Sequence, residues 1–350
     1  MKNERLDFID FTRGIAAIVV LLSHAGSATG FFSDSGFGYQ WLNLGQVGVI
    51  AFFAVSGFVI PLSIRHSKSM ISFAIRRVFR IYPLFLFLLF LAVFLQIIGV
   101  NYPRLVEGNL FAIFVANVFF ISDYIAFPNL VGGSWTLSIE IVWYVIFALV
   151  FVYGLSERPL LMAVVVSSVF VTIACISLIS GMRFPLGRLG MLGICLVGYY
   201  FYKSYSEKIS KKNFFVCVSM LLSSILILLW TAFSHYTGGG TTFRCVVISW
   251  SVGLMLFVLP FKFRASDIFS YQIFLMLGRY SYSIYLVHAL MILVCLRIFE
   301  TPSIQLLAIA ITSFLVASVT YGVIEAPGIL MGKKLDRLIL NRGRSLASDI

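Results

Sequence analysis

Three ionisable residues stand out among those that lie inside long apolar stretches of this 350-residue sequence. Arg13 and His24 share the first stretch, and Glu140 lies six residues into the segment that begins at Ser134. An ionisable side chain at bilayer depth costs several kcal/mol unless it meets a partner or a water-filled cavity. A histidine can accept a proton from a hydroxyl near neutral pH, and a carboxylate can orient it or stabilise its charged form. These residue types therefore suit general acid–base chemistry on a hydroxyl group.

The spacing of Arg13 and His24 predicts that they share one side of a helix. Eleven residues make almost three turns, so the two side chains project from one face about 16 Å apart. Glu140 would lie about 9 Å inside the membrane if its helix begins at the outer face. We expect a buried His24 imidazole on a cavity, where His24 and Glu140 could converge. The alternative for His24 is a hydrogen bond to a Ser, a Thr or a backbone carbonyl of a neighbouring helix.

A second set of residues suits the binding of phosphate. Arg77 and Arg80 lie three positions apart, directly after Arg76 and before Tyr82. If the helix begins early, both guanidinium groups face one side, and such a pair can hold phosphate oxygens bidentately. The alternative is topological, because a cytoplasmic loop attracts arginines whatever the ligand.

A third pattern lies near the C-terminal end. The segment from Ser281 to His288 opens a late apolar stretch and places His288 about two turns into it. Hydrogen bonds between packed helices explain such residues adequately. The candidates for lining the site are Arg76, Tyr82, Ser134, Trp135, Tyr282 and His288.

The composition indicates which solvent surrounds these segments. Hydrophobic residues make up 60% of the chain and charged residues only 11%, with a mean hydropathy of +1.01. Soluble domains are roughly half apolar and a quarter charged, so lipid must surround most of this chain. The net charge of +12 would suit nucleic acid in a soluble protein. Here Lys and Arg gather in short loops and near the termini, so the positive-inside rule explains them and no nucleic-acid partner is expected.

The cysteines predict neither a disulfide nor a metal site. They form no CxxC pair and have no histidine at ligand spacing, so we expect small buried hydrophobic residues. No cleavable signal peptide is apparent, because acidic residues as well as arginines precede the first apolar run. The five cysteines are Cys175, Cys195, Cys217, Cys245 and Cys295.

Eleven apolar segments are candidates for crossing the membrane. A crossing helix needs about 20 mostly apolar residues. Short connections join the segments, and no linker separates two domains. The sequence therefore predicts an all-α polytopic membrane protein with a single embedded domain over residues 1–350. The segments are 12–30, 45–64, 81–100, 109–122, 134–154, 159–181, 186–203, 213–234, 243–260, 281–299 and 303–325.

The positions of Lys and Arg predict the orientation of the segments. The N-terminus and residues 65–80 are basic, whereas residues 31–44 contain neither Lys nor Arg. If all eleven segments crossed, the basic loop 203–212 and the tail 326–350 would face outward. Segment 109–122 is only about 14 residues long, too short for an ordinary crossing. We therefore predict ten crossings and one partial segment on the outer side, with both termini and the short basic tail in the cytoplasm.

Five stretches, in order along the chain, are similar to the motifs of one family. Arg13 and His24 stand in a first-helix signature, and Ser134-Trp135-Thr136-Leu137-Ser138-Ile139-Glu140 is similar to a later motif. The other three matching stretches are Phe52–Phe58, Arg77–Pro83 and Ser281–His288. The match runs from about residue 4 to residue 325. By these motifs the sequence resembles the acyltransferase-3 family of membrane acyltransferases.

The resemblance implies an activity and a set of roles. Members of the family transfer acetyl or other short acyl groups onto carbohydrate parts of lipopolysaccharide, exopolysaccharide, peptidoglycan, lipo-oligosaccharide signals or antibiotics. By the resemblance His24 is the catalytic histidine, and Glu140, the second catalytic candidate, lies at the acceptor side. Arg13 is the partner of His24 in the signature, and Arg77 and Arg80 would contact the donor, a coenzyme A thioester such as acetyl-CoA. Because Arg13 is also expected near the cytoplasmic boundary, it could contact the donor phosphates too. That donor is a substrate, and no permanently bound cofactor is expected.

Two mechanisms and one rival function stay open. His24 would either remove the proton of the acceptor hydroxyl or carry the acyl group itself as an acyl-histidine. Some family members have a further extracytoplasmic hydrolase-like domain, and this sequence ends too soon for one. We therefore expect the chain to complete transfer alone or to hand the acyl group to a partner. The rival is a transporter or flippase of glycolipids or acyl carriers, for which paired broken helices would be typical.

The resemblance also implies surroundings and partners. We expect a multi-pass protein of the inner, cytoplasmic membrane that contacts acyl-CoA, a carbohydrate or glycolipid acceptor, and the lipid bilayer. Acetyl is the expected acyl group because it is the most frequent in the family. Nothing in the loops predicted to face outward identifies the sugar.

Overall fold

A computed structural model describes residues 6–31, 41–99, 108–234 and 241–348 of the chain, with side chains up to residue 339. Within these ranges all regular elements are helical and no strand occurs. The prediction of an all-α protein is confirmed. The basic N-terminal residues Lys2 and Arg5 and most of the predicted outer loop 31–44 lie outside the described residues.

Twelve α-helices carry the fold of the described residues. A π-helical turn, Tyr321–Glu325, joins the last two. The helices are α1 (Asp7–Ala28), α2 (Leu44–His66), α3 (Met70–Ile97), α4 (Leu110–Val118), α5 (Ser134–Val152), α6 (Pro159–Ser180), α7 (Leu186–Tyr205), α8 (Lys211–Ser234), α9 (Phe243–Lys262), α10 (Gln272–Ile298), α11 (Pro302–Thr320) and α12 (Ala326–Ser348).

In the described part of the chain, nine helices are long and apolar enough to cross a membrane, when α11 and α12 are counted as one stretch from Pro302 to Ile339. The short segment predicted at 109–122 is α4, whose 9 residues extend over about 14 Å, too little to cross. The segment predicted at 186–203 is α7, which has 20 residues but a more polar sequence and is not among the nine. The multi-pass membrane character is confirmed, and the orientation of the termini stays a prediction.

The chain forms two compact units, each built from two separate stretches. The first unit contains residues 1–62 and 139–281, and with them the three candidates Arg13, His24 and Glu140. The second unit contains residues 63–138 and 282–350, and with them all the other candidate residues. The single domain over residues 1–350 stays a prediction.

In the first unit, two glycines let α2 and α7 meet at backbone contact. A Cβ atom on Gly57 would overlap the carbonyl oxygen of Cys195, and one on Gly198 would overlap the carbonyl oxygen of Ala54. Neither position has room for a side chain. Small residues permit such close approach of helices in lipid, where packing rather than hydrophobic burial drives association.

We expect Gly198→Ala to destabilise the protein, although alanine is the better helix former. Helix propensity alone favours alanine by about 1 kcal/mol. Overpacking costs typically about 1–3 kcal/mol, and here the new methyl group must displace backbone. Gly187→Ala is the matched control, because Gly187 lies on the same helix and has no atom within 4 Å of its Cβ position. Thermal unfolding in detergent would contradict the close approach if both variants melted at the same temperature.

Helix α1 is held closely on two sides within the first unit. A Cβ on Gly48 of α2 would lie 2.5 Å from the carbonyl oxygen of Ala16. A Cβ on Gly278 of α10 would lie 2.5 Å from the carbonyl oxygen of Asp10. These contacts fix the helix that carries two of the three membrane-embedded candidates.

In the second unit, α12 packs along the first half of α3. A Cβ on Gly332 would lie 2.6 Å from the Cβ of Phe79, and one on Gly328 would lie 2.7 Å from the Cγ of Pro83. Pro83 has no N–H, so the carbonyl oxygen of Phe79 lacks its usual helical donor and faces Gly328 instead, 3.1 Å from that Cβ position. Residues 326–348 of the expected tail are therefore helical, and α12 is packed against the unit. Its location in the cytoplasm stays a prediction.

Candidate active site

His24 lies one turn before the end of α1, beside the first turn of α2. Its Nε2 atom is 3.6 Å from the position that a Cβ on Gly45 would take. His24 itself is exposed, although its neighbours Leu21 and Ala25 on the helix are buried. The ring is therefore accessible although protein atoms surround it, as a ring that lines a cavity would be, and the cavity itself stays a prediction. Because the facing residue of α2 is a glycine, no side chain from that position covers the ring.

Two further polar atoms converge on the same point of α2. The Oδ1 atom of Asn43 and the Oγ atom of Ser23 lie 3.2 and 3.3 Å from the Gly45 Cβ position. Together with Nε2 of His24, they surround one small space that the missing side chain leaves open. We call these residues, Ser23, His24, Asn43 and Gly45, the imidazole site. The arrangement offers a ring nitrogen with polar oxygens close by.

The first turn of α2 is fixed by its own hydrogen bonds. The Oδ1 atom of Asn43 accepts from the backbone N–H of Gln46 at 2.9 Å, as an N-cap does. The backbone N–H of Asn43 donates to Oγ of Ser249 at 2.8 Å, and Nε1 of Trp250 donates to Oε1 of Gln46 at 3.0 Å. Sequence reasoning missed Asn43 and Gln46. The spacing Asn-x-x-Gln before an apolar run is the capping signal that could have found them.

Arg13 has the relation to His24 that the spacing predicts. Helix α1 is continuous from Asp7 to Ala28, so the two residues lie about 16 Å apart along its axis and about 20° apart around it. Arg13 is half-buried. This geometry confirms the shared face, while the role of Arg13 in donor binding stays a prediction.

Glu140 is half-buried on α5 and is held by a residue one turn further on. The hydroxyl of Tyr144 donates a hydrogen bond to Oε1 of Glu140. The carboxylate also lies within electrostatic range of the Cys195 side chain on α7. Glu140 and the imidazole site belong to the same unit, and the convergence of His24 with Glu140 stays a prediction.

The helix that carries Arg77 and Arg80 begins before them, which is the condition for both guanidinium groups to face one side. The helix begins at Met70, where the side chain of Ser69 accepts from the backbone N–H of Ser72 at 3.1 Å. Arg77 and Arg80 are therefore both helical and lie about 60° apart around the axis. Both are half-buried, and the Arg77 guanidinium lies over the Phe73 ring, 5.5 Å from its centroid.

Arg76, a candidate for lining the site, forms a salt bridge. Its Nη2 and Nε atoms donate to Oδ2 of Asp336 on α12 at 2.6 and 2.9 Å. The Asp336 side chain is only 4% exposed and that of Arg76 is 38% exposed. The pair ties α12 to α3, and a role of Arg76 in lining the site stays a prediction.

The two candidate tyrosines of the second unit donate to backbone carbonyls. The hydroxyl of Tyr82 donates to the carbonyl oxygen of Val118, the last residue of α4, at 3.1 Å. The hydroxyl of Tyr282 donates to the carbonyl oxygen of Ile81 at 2.7 Å. Both bonds connect helices within this unit.

The other lining candidates make contacts typical of helix packing. Ser134 is buried, and its hydroxyl donates to Oδ1 of Asn129 at 3.1 Å, while Trp135 is half-buried. His288 is buried, with Nδ1 3.3 Å from the carbonyl oxygen of Ile284. These contacts fit the packing alternative for His288, and a role in lining the site stays a prediction for all three candidates.

The cysteines are free thiols, and four of them are buried. Cys175 is exposed, so the expectation of burial is wrong for this residue. Among the described residues, no three His, Cys, Asp or Glu side chains come together as a potential metal site.

Sequence reasoning missed Glu325, a buried carboxylate of the second unit. It is 1% exposed and ends the π-helical turn between α11 and α12. The hydroxyl of Ser283 donates to its Oε2 atom at 2.8 Å. An acidic residue at the end of the apolar segment 303–325 was the signal that could have found it. Turns of this kind are rare and often occur at functional sites.

We expect Glu325→Gln to melt at the same temperature as the unmodified protein or higher. Glutamine keeps an oxygen that accepts from Ser283, and it removes a charge from a buried position. Glu325→Ala should lose about 1–3 kcal/mol, because it leaves the buried Ser283 hydroxyl without this acceptor. Glu300→Gln, at an exposed position, controls for the loss of charge. Equal losses in both Glu325 variants would show that the hydrogen bond contributes nothing.

Comparison with known proteins identifies the family. The profile of the acyltransferase-3 family, described as an acyltransferase domain, matches residues 6–324. Acyltransferase MdmB of Streptomyces mycarofaciens is 32% identical over 41% of this chain and 39% of its own length. The O-acetyl transferase of Shigella phage Sf6 is 23% identical over 68% of this chain and 73% of its own length. Peptidoglycan O-acetyltransferase OatA of Listeria monocytogenes is 26% identical over 91% of this chain and 55% of its own length.

The chain spans well under two thirds of the length of MdmB and of OatA. No solved structure matches it. The family profile, by contrast, covers nearly all of the chain, including the helices that carry the imidazole site and the arginine pair. This protein therefore belongs to the acyltransferase-3 family.

Proposed function

We propose that this protein is an integral membrane O-acyltransferase. It would transfer an acetyl or other short acyl group from cytoplasmic acyl-CoA to a hydroxyl of a carbohydrate or glycolipid at the inner membrane. Membership of the family supports acyl transfer, and two of the relatives are named O-acetyltransferases. The observation that carries the proposal is the imidazole site, where the His24 ring is exposed beside Gly45.

The reaction needs a base that the acceptor hydroxyl can reach. In the proposed step, His24 takes the proton of the hydroxyl while the oxygen attacks the carbonyl carbon of the thioester. The carbon–sulfur bond breaks, and the thiolate leaves with a proton returned by the imidazolium. An exposed ring suits this step better than a buried one, because the acceptor must reach the ring nitrogen. In the covalent alternative, the same nitrogen attacks the thioester first, the carbon–sulfur bond breaks, and the thiolate leaves and takes up a proton. The hydroxyl oxygen then attacks the acyl group, the carbon–nitrogen bond breaks, and the hydroxyl gives up its proton as the imidazole is restored.

The protein needs positively charged side chains to bind the donor and a carboxylate to bind the acceptor. Arg77 and Arg80 suit the phosphates of coenzyme A, because guanidinium groups bind phosphate oxygens in pairs. Arg13 would contact the donor phosphates as well. Glu140 suits the acceptor, since a carboxylate accepts hydrogen bonds from sugar hydroxyls and Tyr144 already orients it.

The test is release of free thiol from acetyl-CoA by the purified protein. We expect the intact chain in detergent to release thiol from labelled acetyl-CoA and to place the label on a carbohydrate acceptor. The acceptor is identified by mass spectrometry of surface glycans from cells with and without the protein. A transporter or flippase would release no thiol, and that result would overturn the proposal.

A further inference from the structure

As far as residue 339, helix α12 is buried against the second unit along a narrow stripe. Its buried residues Gly328, Gly332 and Asp336 recur every four positions, which is one side of a helix. The glycines meet α3 at Phe79 and Pro83, and Asp336 forms the salt bridge described above. The other side chains of α12 are exposed or half-exposed as far as residue 339. Most of the surface of α12 between residues 326 and 339 is therefore available to the surroundings.

The exposed surface of α12 divides into an apolar and a basic arc. At about 100° per residue, four of the exposed apolar side chains lie within an arc of about 100° that overlaps one edge of the buried stripe. Three basic side chains occupy a separate arc of about 100°, which also contains Leu330. The apolar arc consists of Met331, Leu335, Leu338 and Ile339, and the basic arc of Lys333, Lys334 and Arg337, all exposed.

The length of α11 sets the depth at which this surface lies. Its 19 residues extend over about 28 Å, close to the thickness of the hydrocarbon core. If α11 crosses the membrane, α12 begins where that core ends. The part of α3 on which α12 rests carries Arg76, Arg77 and Arg80, charged residues that belong at the same boundary.

We propose that the surface of α12 binds anionic phospholipids. The apolar arc would lie among the acyl chains, and the basic arc would contact phosphate groups at the surface of the bilayer. A helix with one apolar and one basic face is typical of segments that lie in this interface. Anionic lipids attract basic residues there, and the net charge of +12 adds to that attraction. The proposal does not depend on the acyl-transfer activity.

Titration of the intact chain with lipid tests the proposal. Purified protein in a non-ionic detergent is titrated with phosphatidylglycerol and, separately, with phosphatidylcholine, and bound lipids are counted by native mass spectrometry. The unmodified protein should prefer phosphatidylglycerol. The triple variant Lys333→Gln/Lys334→Gln/Arg337→Gln should bind it more weakly by about fivefold for each charge removed, so by about a hundredfold. Binding of phosphatidylcholine should not change.

A matched variant removes the same charge elsewhere. Lys208, Lys211 and Lys212 are also exposed basic residues, and the triple substitution to Gln should leave phosphatidylglycerol binding intact. Equal losses in the two triple variants, or no preference of the unmodified protein for phosphatidylglycerol, would overturn the proposal. Titration with acetyl-CoA shows whether the basic arc binds the phosphate of a lipid headgroup or the phosphates of coenzyme A. If the α12 variant loses acetyl-CoA binding and keeps phosphatidylglycerol binding, the basic arc belongs to the donor site and the proposal fails.

Discussion

Replacing His24 by Ala is expected to slow acyl transfer by about 10²- to 10⁴-fold while the protein stays folded. A positioned general base contributes a factor of this size, and a nucleophilic histidine would contribute at least as much. The His24 ring is exposed beside Gly45, so its removal opens no buried cavity. The measurement is the rate of thiol release from acetyl-CoA in the presence of acceptor, with the melting temperature recorded in parallel.

His66→Ala is the matched control for this experiment. His66 is an exposed histidine at the end of α2, and its replacement should leave the rate unchanged. Full activity of His24→Ala would remove His24 from the mechanism. Acid quenching of the unmodified protein after mixing with labelled acetyl-CoA alone distinguishes the two routes, because only the covalent route leaves label on the protein.

Replacing Arg77 or Arg80 by Gln should raise KM for acyl-CoA by about 10- to 100-fold without changing the melting temperature. A hydrogen bond to a charged group contributes about 1.5–3 kcal/mol, and each arginine would lose its bonds to phosphate. Both side chains are half-buried, so glutamine can occupy their positions. The measurement is the dependence of the initial rate on acyl-CoA concentration.

Arg76→Gln is the control that separates binding from stability. It removes the partner of the buried Asp336 and should cost about 1–3 kcal/mol, less than in a fully buried pair because Arg76 is 38% exposed. Its KM for acyl-CoA should stay unchanged. If Arg76→Gln raised KM as much as the other two variants, Arg76 would belong to the donor site after all.

Local patterns in the sequence determined the helices and the residues that suit acid–base chemistry or phosphate binding. The apolar segments predicted the all-α membrane architecture, and the brevity of residues 109–122 predicted the short helix α4. The eleven-residue spacing predicted the shared face of Arg13 and His24, since the turn of a helix is fixed by its backbone. Such properties depend on neighbours in the chain, so a sequence contains them directly.

Contacts between distant residues were decided only by the tertiary structure. The exposure of His24 depends on the glycine that faces it from α2, and the role of Arg76 depends on Asp336, which lies 260 positions further along the chain. The hydrogen bond between Ser283 and Glu325, which the sequence did not predict, also joins residues that are far apart in the chain. Helical periodicity tells which side of a helix is apolar, but not which helix packs against that side. The packing of whole helices determines these pairs.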